Sequence, residues 1–320
     1  MLNLEYLNDL NEAQNEAVSH IDGPLLIVAG AGSGKTKVLT SRIAHMIKQK
    51  KAFPNQILAV TFTNKAAREM QNRVSKILGK EAIGMTWLGT FHSISAKILR
   101  KHAQAVGLKS NFSIIDQDDQ LRLIKNISKA ENIDTKKISP NVIQSTIDRW
   151  KNKGWYPDDV ILRKRDPLEK SFLEIYKIYQ SKLIDLNSTD FGDLILHCVK
   201  IFERNKDISE IYSRNFKYIL VDEYQDTNHI QSKWLLHLAK YHKNISCVGD
   251  DDQSIYSWRG AEIKNFLEFD KVYDNTKIIR LERNYRSTQN ILSVASKIIS
   301  NNETRVGKNL FTEGEDGDLV

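Results

Sequence analysis

The sequence contains few cysteines and few prolines, and it lacks any long apolar run. Cys198 and Cys247 are its only cysteines and lie far apart, which argues against a zinc site and against a disulfide framework. The longest apolar runs, such as Leu25–Val28 and Ile219–Val221, are far shorter than the roughly 20 residues that a membrane span needs. Residues 1–10 have neither the basic start nor the apolar stretch of a signal peptide. We therefore expect a soluble, cytoplasmic protein.

Composition is that of a globular chain with a mild preference for anionic partners. The 320 residues include 41% hydrophobic and 27% charged residues, which fits one large domain or two smaller ones. The formal net charge of +7 favours a phosphate-rich partner, because Lys and Arg release counterions when they bind a phosphate backbone. Many proteins with a similar excess never bind nucleic acid, so charge alone does not decide the function.

Short segments rich in β-branched residues alternate with segments of helical period. The predicted strands are Pro24–Val28, Gln56–Thr61, Tyr218–Val221, Ile245–Val248 and Lys277–Leu281. The first two are followed by apolar residues at steps of three and four, which is typical of helices that cover a sheet. This alternation predicts an α/β fold with a parallel sheet.

Residues 95–205 show helical periods and few strand signals, so we predict a mostly helical subdomain inserted into the α/β domain. The predicted core domain comprises residues 1–94 and 206–285. The insertion has two tryptophans, Trp150 and Trp155, among many basic residues. These include Lys136, Lys137, Arg149, Lys151, Lys153, Arg163, Lys164 and Arg165. Two interpretations remain open: a solvated helical face over two buried tryptophans, or a surface that contacts duplex DNA.

A glycine-rich segment follows the first predicted strand and opens a helix. It consists of Ala29, Gly30, Ala31, Gly32, Ser33, Gly34, Lys35 and Thr36. This is the pattern and context of a phosphate-binding loop, with Ala29 in place of the usual first glycine. Backbone N–H groups and the helix N-terminus would surround the phosphates, Lys35 would contact the β- and γ-phosphates, and Thr36 would bind Mg²⁺. The segment predicts an ATP–Mg²⁺ site; the alternative is a glycine-rich turn that arose by chance.

Two carboxylates, Asp222 and Glu223, follow the apolar strand Tyr218–Val221. The carboxyl end of a strand is where a parallel α/β sheet binds its ligand. Asp222 would hold Mg²⁺ through water, and Glu223 would orient and deprotonate the attacking water. Acidic residues also commonly begin solvated loops, so this interpretation depends on the glycine-rich segment.

Five motifs occur in a fixed order along the chain. They are Thr61–Ala67, Gly89–Ser93, Asp222–Thr227, Val248–Ala261 and Leu281–Ser287. Together they closely resemble the UvrD/Rep/PcrA family of superfamily-one DNA helicases, over nearly the whole chain. The resemblance implies a RecA-like fold, ATP and Mg²⁺ as cofactors, and 3′-to-5′ movement along single-stranded DNA.

The resemblance also implies roles in nucleotide binding and hydrolysis. Gln253 is similar to the family's γ-phosphate sensor, and Arg286 to the arginine that stabilises charge on the transferring phosphoryl group. Lys35 is also expected to be catalytic, together with Glu223, Gln253 and Arg286. Tyr285 is similar to the tyrosine that stacks on adenine, and Gln14 to the glutamine that reads the adenine edge. Asn11 and Gln14 also have the spacing of a helix capping box, so Gln14 has two possible roles.

Further residues are implied to contact DNA. A motor needs flat faces on which bases stack and release, because stacking tolerates any base sequence. The implied contacts are Phe62, Thr63, Asn64, His92, Tyr256, Trp258 and Arg259. An aromatic residue is more often part of a core than of a binding surface. Trp258 is the strongest candidate because it stands in a polar loop that ends at Gly260.

Residues 286–320 are predicted to begin a second RecA-like domain, which makes the sequence look truncated. We expect a helicase fragment that binds ATP, single-stranded DNA and its junctions with duplex, and whose DNA-stimulated turnover is weak or absent without a C-terminal motor domain. The alternatives are a short non-motor protein that binds nucleotide and single-stranded DNA, and the ATPase arm of a helicase–nuclease. A role in DNA repair or in DNA replication stays open, and Asp190–Leu194 resembles a family segment without an assigned role.

Overall fold

The computed structural model describes residues 5–133, 138–162, 167–302 and 305–320. The strands in these ranges are β1 (Leu25–Ala29), β2 (Ile57–Thr61), β3 (Leu88–Thr90), β4 (Ser113–Ile114), β5 (Ser188–Thr189), β6 (Tyr218–Val221), β7 (Ile245–Gly249) and β8 (Lys277–Leu281). The α-helices are α1 (Glu5–Asn8), α2 (Glu12–Ser19), α3 (Lys35–Lys48), α4 (Asn64–Leu78), α5 (Phe91–His102), α6 (Gln117–Ala130), α7 (Pro140–Asn152), α8 (Pro167–Asp185), α9 (Phe191–Arg204), α10 (Lys206–Asn215), α11 (His229–Ala239), α12 (Lys264–Leu267), α13 (Phe269–Val272) and α14 (Gln289–Ile299). No helix within the described ranges is long and apolar enough to cross a bilayer.

Six strands form one parallel sheet in the order β3-β2-β6-β7-β1-β8. Every residue of β1, β2, β6 and β7 is buried. A parallel sheet covered on both faces needs such continuous apolar strands rather than alternating ones. Side chains such as Ala17, Ile43 and Met70, from α2, α3 and α4, complete the core. The predicted parallel α/β sheet is confirmed, and β3 is a strand that the sequence analysis did not identify.

The loops that carry the predicted chemistry leave this sheet at one edge. β6, β7 and β1 are adjacent, and all carboxyl ends of a parallel sheet lie on the same side. The loop that begins at Gly30, the pair Asp222–Glu223 and Asp250 therefore follow three neighbouring strands. Strand order thus brings together segments that are about two hundred positions apart in the sequence, as expected at a ligand crevice.

The chain divides into two compact units. One comprises Met1–Thr90, Glu210–Thr227 and Leu238–Val320, and the other comprises Phe91–Ser209 and Asn228–His237. The predicted boundaries at 94/95 and 205/206 lie four residues from these. Residues 228–237, which we assigned to the core, instead belong to the helical unit, where the Trp234 and Phe91 ring centroids are 5.7 Å apart. Residues 286–320 belong to the sheet-containing unit.

The helical unit has its own core, formed by α6, α7 and α8. Trp150 is buried among Ile143, Tyr176 and other apolar side chains, and Trp155 packs against them partly buried. The predicted helical insertion is confirmed, with the short parallel pair β4–β5 as its described strands. Both tryptophans therefore fit the interpretation in which they pack into the core of the helical unit. Among the basic residues named above, five lie outside the described residues: Lys136, Lys137, Arg163, Lys164 and Arg165.

Lys151, which the sequence analysis placed on a basic face, is fully buried in this unit. Its Nζ lies 2.5 Å from Asp190 Oδ2 and 2.8 Å from Asp193 Oδ1. The Tyr179 hydroxyl donates to Asp190 at 2.8 Å, and Asp190 caps α9 by accepting from the Asp193 N–H at 2.9 Å. The surface assignment of Lys151 was wrong because two carboxylates of the segment Asp190–Leu194 balance its charge in the interior. That segment, which had no assigned role, thus combines helix capping with charge compensation.

Candidate functional site

The glycine-rich loop turns sharply between β1 and α3. Gly32 and Gly34 have φ angles of +70° and +88°, in the left-handed region that favours glycine. A Cβ added at Gly32 would lie 2.7 Å from the Asn284 amide nitrogen, and one at Gly34 would lie 2.7 Å from that of Gln14. Both the turn and the packing therefore require glycine. Ala29 is the last residue of β1, where a methyl group is compatible with the extended backbone.

The N-terminus of α3 provides donors for an anion beside this loop. Lys35 is the first residue of this helix, and Gly34 at its N-cap makes no side-chain cap hydrogen bond. The first N–H groups of a helix lack intrahelical acceptors and carry the positive end of the helix dipole. Ser33 stabilises the loop itself, since its hydroxyl donates to the Gly30 carbonyl at 2.8 Å. The loop and the helix start have the form of a phosphate cradle.

Lys35 and the acidic strand end meet at the carboxyl edge of the sheet. Lys35 Nζ lies 3.6 Å from Glu223 Oε2, as expected if both groups face one nucleotide. Asp222 is 7% exposed and accepts from the Glu223 N–H at 3.1 Å. Glu223 has a φ of 51°, a strained conformation for a residue with a side chain, and such strain concentrates at functional sites.

Burial and mutual repulsion disfavour the charged form of the carboxylates at this end of the sheet. Burial and the neighbouring charge of Glu223 raise the pKa of Asp222 to about 7, and the same two causes raise that of Asp226 to about 6. A bound divalent cation favours deprotonated carboxylates nearby. Thr36 follows Lys35 in the first turn of α3, and Asp222 follows β6 at the same end of the sheet. Oxygen donors of this kind suit Mg²⁺.

A third segment, which follows β8 and ends at Arg286, forms hydrogen bonds with the glycine-rich loop. The Asn284 amide donates to the Ala31 carbonyl at 2.6 Å, and the Tyr285 N–H donates to the Gly32 carbonyl at 2.9 Å. The Asn284 side-chain oxygen accepts from the Arg286 N–H at 2.7 Å. Tyr285 and Arg286 thus lie beside the loop, and their roles toward adenine and the phosphoryl group stay predictions. Asn284 lies within the motif Leu281–Ser287, but no sequence pattern distinguishes it from its neighbours there.

Gln14 is buried, and both its amide oxygen and its amide nitrogen form hydrogen bonds within the protein. Its side-chain oxygen accepts from the Asn11 N–H at 3.2 Å, and the Asn11 side chain accepts from the Gln14 N–H at 2.8 Å. The capping-box alternative is therefore realised. The Gln14 amide also donates to the Ser33 carbonyl at 2.9 Å, and Asn11 donates to the Tyr285 hydroxyl at 2.9 Å. Gln14 lies against the loop, and its adenine-reading role stays a prediction.

The residues after β7 include three aspartates that lie close enough together to hold a cation. Lys308 Nζ lies 2.7, 2.8 and 2.6 Å from Asp250, Asp251 and Asp252 respectively, so its ammonium group offsets part of the negative charge of the cluster. Arg305 adds two contacts of 2.7 Å to Asp252. In the described residues this cluster therefore forms an ion-pair network with Lys308 and Arg305. Gln253, the predicted γ-phosphate sensor, follows the cluster and donates to the Asp250 carboxylate.

The predicted DNA-binding aromatics form a partly exposed group in the sheet-containing unit. Phe62 and Tyr256 stack with ring centroids 5.4 Å apart and planes at 23°. Trp258 is 73% exposed, and the Arg259 guanidinium lies 4.7 Å from its ring centroid. An exposed indole beside stacked rings and a cation is compatible with base stacking, and DNA binding by these residues stays a prediction.

The other predicted DNA contacts have local structural explanations. The Thr63 hydroxyl accepts from the Ala66 N–H at 3.1 Å and so caps α4, which begins at the exposed Asn64. His92 lies in the helical unit, in the first turn of α5, and its ring centroid is 6.0 Å from that of Phe191. Burial lowers the pKa of His92, which favours the neutral imidazole. The roles of these residues in DNA binding stay predictions.

Comparison with known proteins adds independent information. The chain matches the family model described as UvrD/REP helicase N-terminal domain over residues 10–274, and that described as UvrD-like helicase C-terminal domain over residues 279–320. It is 49% identical over 323 residues to the probable DNA helicase II homolog of Rickettsia conorii, covering 100% of this chain and 49% of that relative. It is 48% identical over 313 residues to the ATP-dependent DNA helicase PcrA of Bacillus subtilis, covering 98% of this chain and 42% of that relative. The chain thus spans about half the length of the curated relatives it matches.

Proposed function

The chain belongs to the UvrD/Rep family of superfamily-one DNA helicases, and on this basis we propose that it couples ATP hydrolysis to 3′-to-5′ movement along single-stranded DNA. One observation carries the ATP-dependent part: Lys35 and Glu223 approach within 3.6 Å beside a glycine loop with the form of a phosphate cradle. A cytoplasmic location, and single-stranded DNA with its duplex junctions as partners, belong to the same proposal.

Each group at this edge has a proposed task in phosphoryl transfer. Lys35 neutralises charge on the β- and γ-phosphates, and Glu223 accepts a proton from the attacking water at its carboxylate. Thr36, and Asp222 through water, would hold Mg²⁺, which would supply further charge neutralisation at the phosphates. Gln253 senses the γ-phosphate and Arg286 stabilises the transferring group. The relative positions of Lys35, Glu223 and Arg286 around the loop support this assignment.

We propose that the 320 residues on their own bind nucleotide with weak or absent DNA-stimulated turnover. In this family ATP lies between two RecA-like domains, and the C-terminal family model matches only residues 279–320. Residues from a second domain would complete the charge stabilisation around the phosphates.

Lys35→Ala tests the nucleotide site directly. Loss of a charge-assisted hydrogen bond costs about 1.5–3 kcal/mol, so we expect affinity for a fluorescent ATP analogue with Mg²⁺ to fall about 10- to 100-fold. Lys37→Ala is the matched control, because Lys37 lies in the same helix but donates to the Asp9 carbonyl at 2.7 Å. Equal affinity in Lys35→Ala and wild type would remove the phosphate-binding role of the loop.

Trp258→Ala tests the proposed DNA surface. If the indole stacks on a base, its removal weakens binding of a single-stranded oligonucleotide by about 1–3 kcal/mol. Phe53→Ala is the matched control, because Phe53 is 72% exposed and Trp258 is 73% exposed. Both variants are expected to keep the wild-type melting temperature, since neither ring is buried. Oligonucleotide affinity that is the same in both variants would show that Trp258 does not contact DNA.

A further inference from the structure

Gln225 makes contacts that no role assigned so far explains. It lies in a single 3-10 turn, Tyr224–Asp226, directly after Glu223, and only 1% of its surface is exposed. Its amide nitrogen donates to Glu223 Oε2 at 2.9 Å, and its amide oxygen accepts from the Asp250 N–H at 3.1 Å. One buried side chain therefore bridges the ends of β6 and β7.

Two features indicate that this bridge fixes the Glu223 carboxylate. The Glu223 side chain is 36% exposed, so burial alone does not restrict its rotamers. The bond from Gln225 is also shorter than the 3.6 Å contact with Lys35. A base must be held within a fraction of an ångström of its productive position, and a partner with a fixed side chain is what provides this.

The other end of the bridge reaches the turn that carries Gln253. Asp250, whose N–H donates to Gln225, also accepts from the Gln253 amide through its carboxylate. Gly249 permits the close approach, because a Cβ at that position would lie 2.4 Å from the Gln225 amide oxygen. A glutamine amide donates from its nitrogen and accepts at its oxygen, so glutamine suits this position between Glu223 and Asp250.

We propose that Gln225 is a positioning residue for ATP hydrolysis, which orients Glu223 and couples this carboxylate to the Asp250–Gln253 turn. The proposal rests on the proposed function, in which Glu223 is the base and Gln253 the γ-phosphate sensor. Gln225 itself contacts neither the phosphates nor the attacking water. Its effect is therefore expected on turnover and not on nucleotide affinity.

The test uses Gln225→Met in the chain joined to a C-terminal motor domain, with ATP, Mg²⁺ and single-stranded DNA, because the 320 residues alone are expected to turn over weakly. Methionine has nearly the same length but neither donates nor accepts strongly, so Glu223 loses its orienting bond. We expect kcat to fall about 10- to 100-fold, the scale of a misplacement by about 1 Å, with nucleotide affinity within about threefold of wild type. Gln225→Asn keeps the amide chemistry but is one methylene too short to span both partners, so we expect a similar loss of kcat. Gln120→Met is the control, since Gln120 is a buried glutamine of the helical unit, 4% exposed.

A double-mutant cycle with Glu223→Gln separates positioning from a purely structural role. If Gln225 acts through Glu223, Gln225→Met has no further effect on single-turnover hydrolysis in the Glu223→Gln background. An equal loss in both backgrounds, or a kcat within twofold of wild type in both Gln225 variants, would overturn the proposal. Absence of ATP hydrolysis by the wild-type sequence in the same two-domain protein would instead overturn the proposed function, so the two failures are distinguishable.

Discussion

Replacing Glu223 with glutamine in the chain joined to a C-terminal motor domain is expected to lower ATP turnover by about 10²–10⁴-fold, the usual contribution of a general base. The amide has almost the shape of the carboxylate but cannot accept the proton of the attacking water. Nucleotide affinity is expected to stay within about threefold of wild type, because Lys35 and the glycine loop provide the phosphate contacts. Single-turnover hydrolysis and equilibrium binding of a non-hydrolysable analogue measure the two quantities separately.

Glu210→Gln is the matched control for this substitution. Glu210 is an exposed carboxylate that pairs with Arg214 at 3.0 Å in the same helix, α10, so its neutralisation should change neither quantity. Equal turnover by wild type and Glu223→Gln would exclude Glu223 as the base. A loss of nucleotide affinity that matches the loss of turnover would assign Glu223 to binding instead.

Lys151→Met is expected to lower the free energy of unfolding of the helical unit by about 3–5 kcal/mol, the cost of breaking a buried ion pair from one side. Methionine fills much of the same volume, but it leaves Asp190 and Asp193 buried without their cation. Lys151 and Asp193 are both 0% exposed, and Asp190 is 4% exposed, so water cannot compensate for the loss. Chemical denaturation followed by tryptophan fluorescence reports on this unit, whose core contains Trp150.

Lys153→Met is the control for this prediction, because Lys153 lies two residues further on, is exposed, and has its ammonium group over the Trp155 ring, 4.9 Å from the centroid. Burial would raise the pKa of Asp193, but the charge of Lys151 outweighs it and holds that pKa below its ordinary value. Such a group stabilises the fold above its unfolded pKa and loses that contribution as the pH falls through the folded value. An unfolding free energy within about 1 kcal/mol of wild type in Lys151→Met would contradict the buried network.

The strands and the nucleotide loop could be predicted from local patterns. Continuous apolar segments such as Leu25–Val28 predict buried parallel strands, and helical periods after them predict the covering helices. The glycine pattern before Lys35 fixes a backbone turn that few other residues permit. From these two signals it follows that Asp222–Glu223 and the loop share one edge of a sheet, because all parallel strands end on the same side.

Partners of individual polar side chains could not be predicted in this way. Lys151 has the sequence surroundings of a surface lysine, yet two carboxylates about forty positions further along the chain keep it buried. Gln14 matches both a capping box and a base-reading residue, and only the geometry shows which hydrogen bonds form. Lys308 and the aspartates after β7 form an ion-pair network that no local pattern indicates.

The sequence by itself determined the fold class, the phosphate loop and the acidic strand end, because each depends on residues that are neighbours along the chain. The tertiary structure decided which side chain satisfies which partner, as for Gln225 between Glu223 and Asp250. The physical reason is that a buried donor or acceptor must be paired wherever its partner lies in the sequence. That pairing is set by strand order and packing, and these are properties of the whole chain.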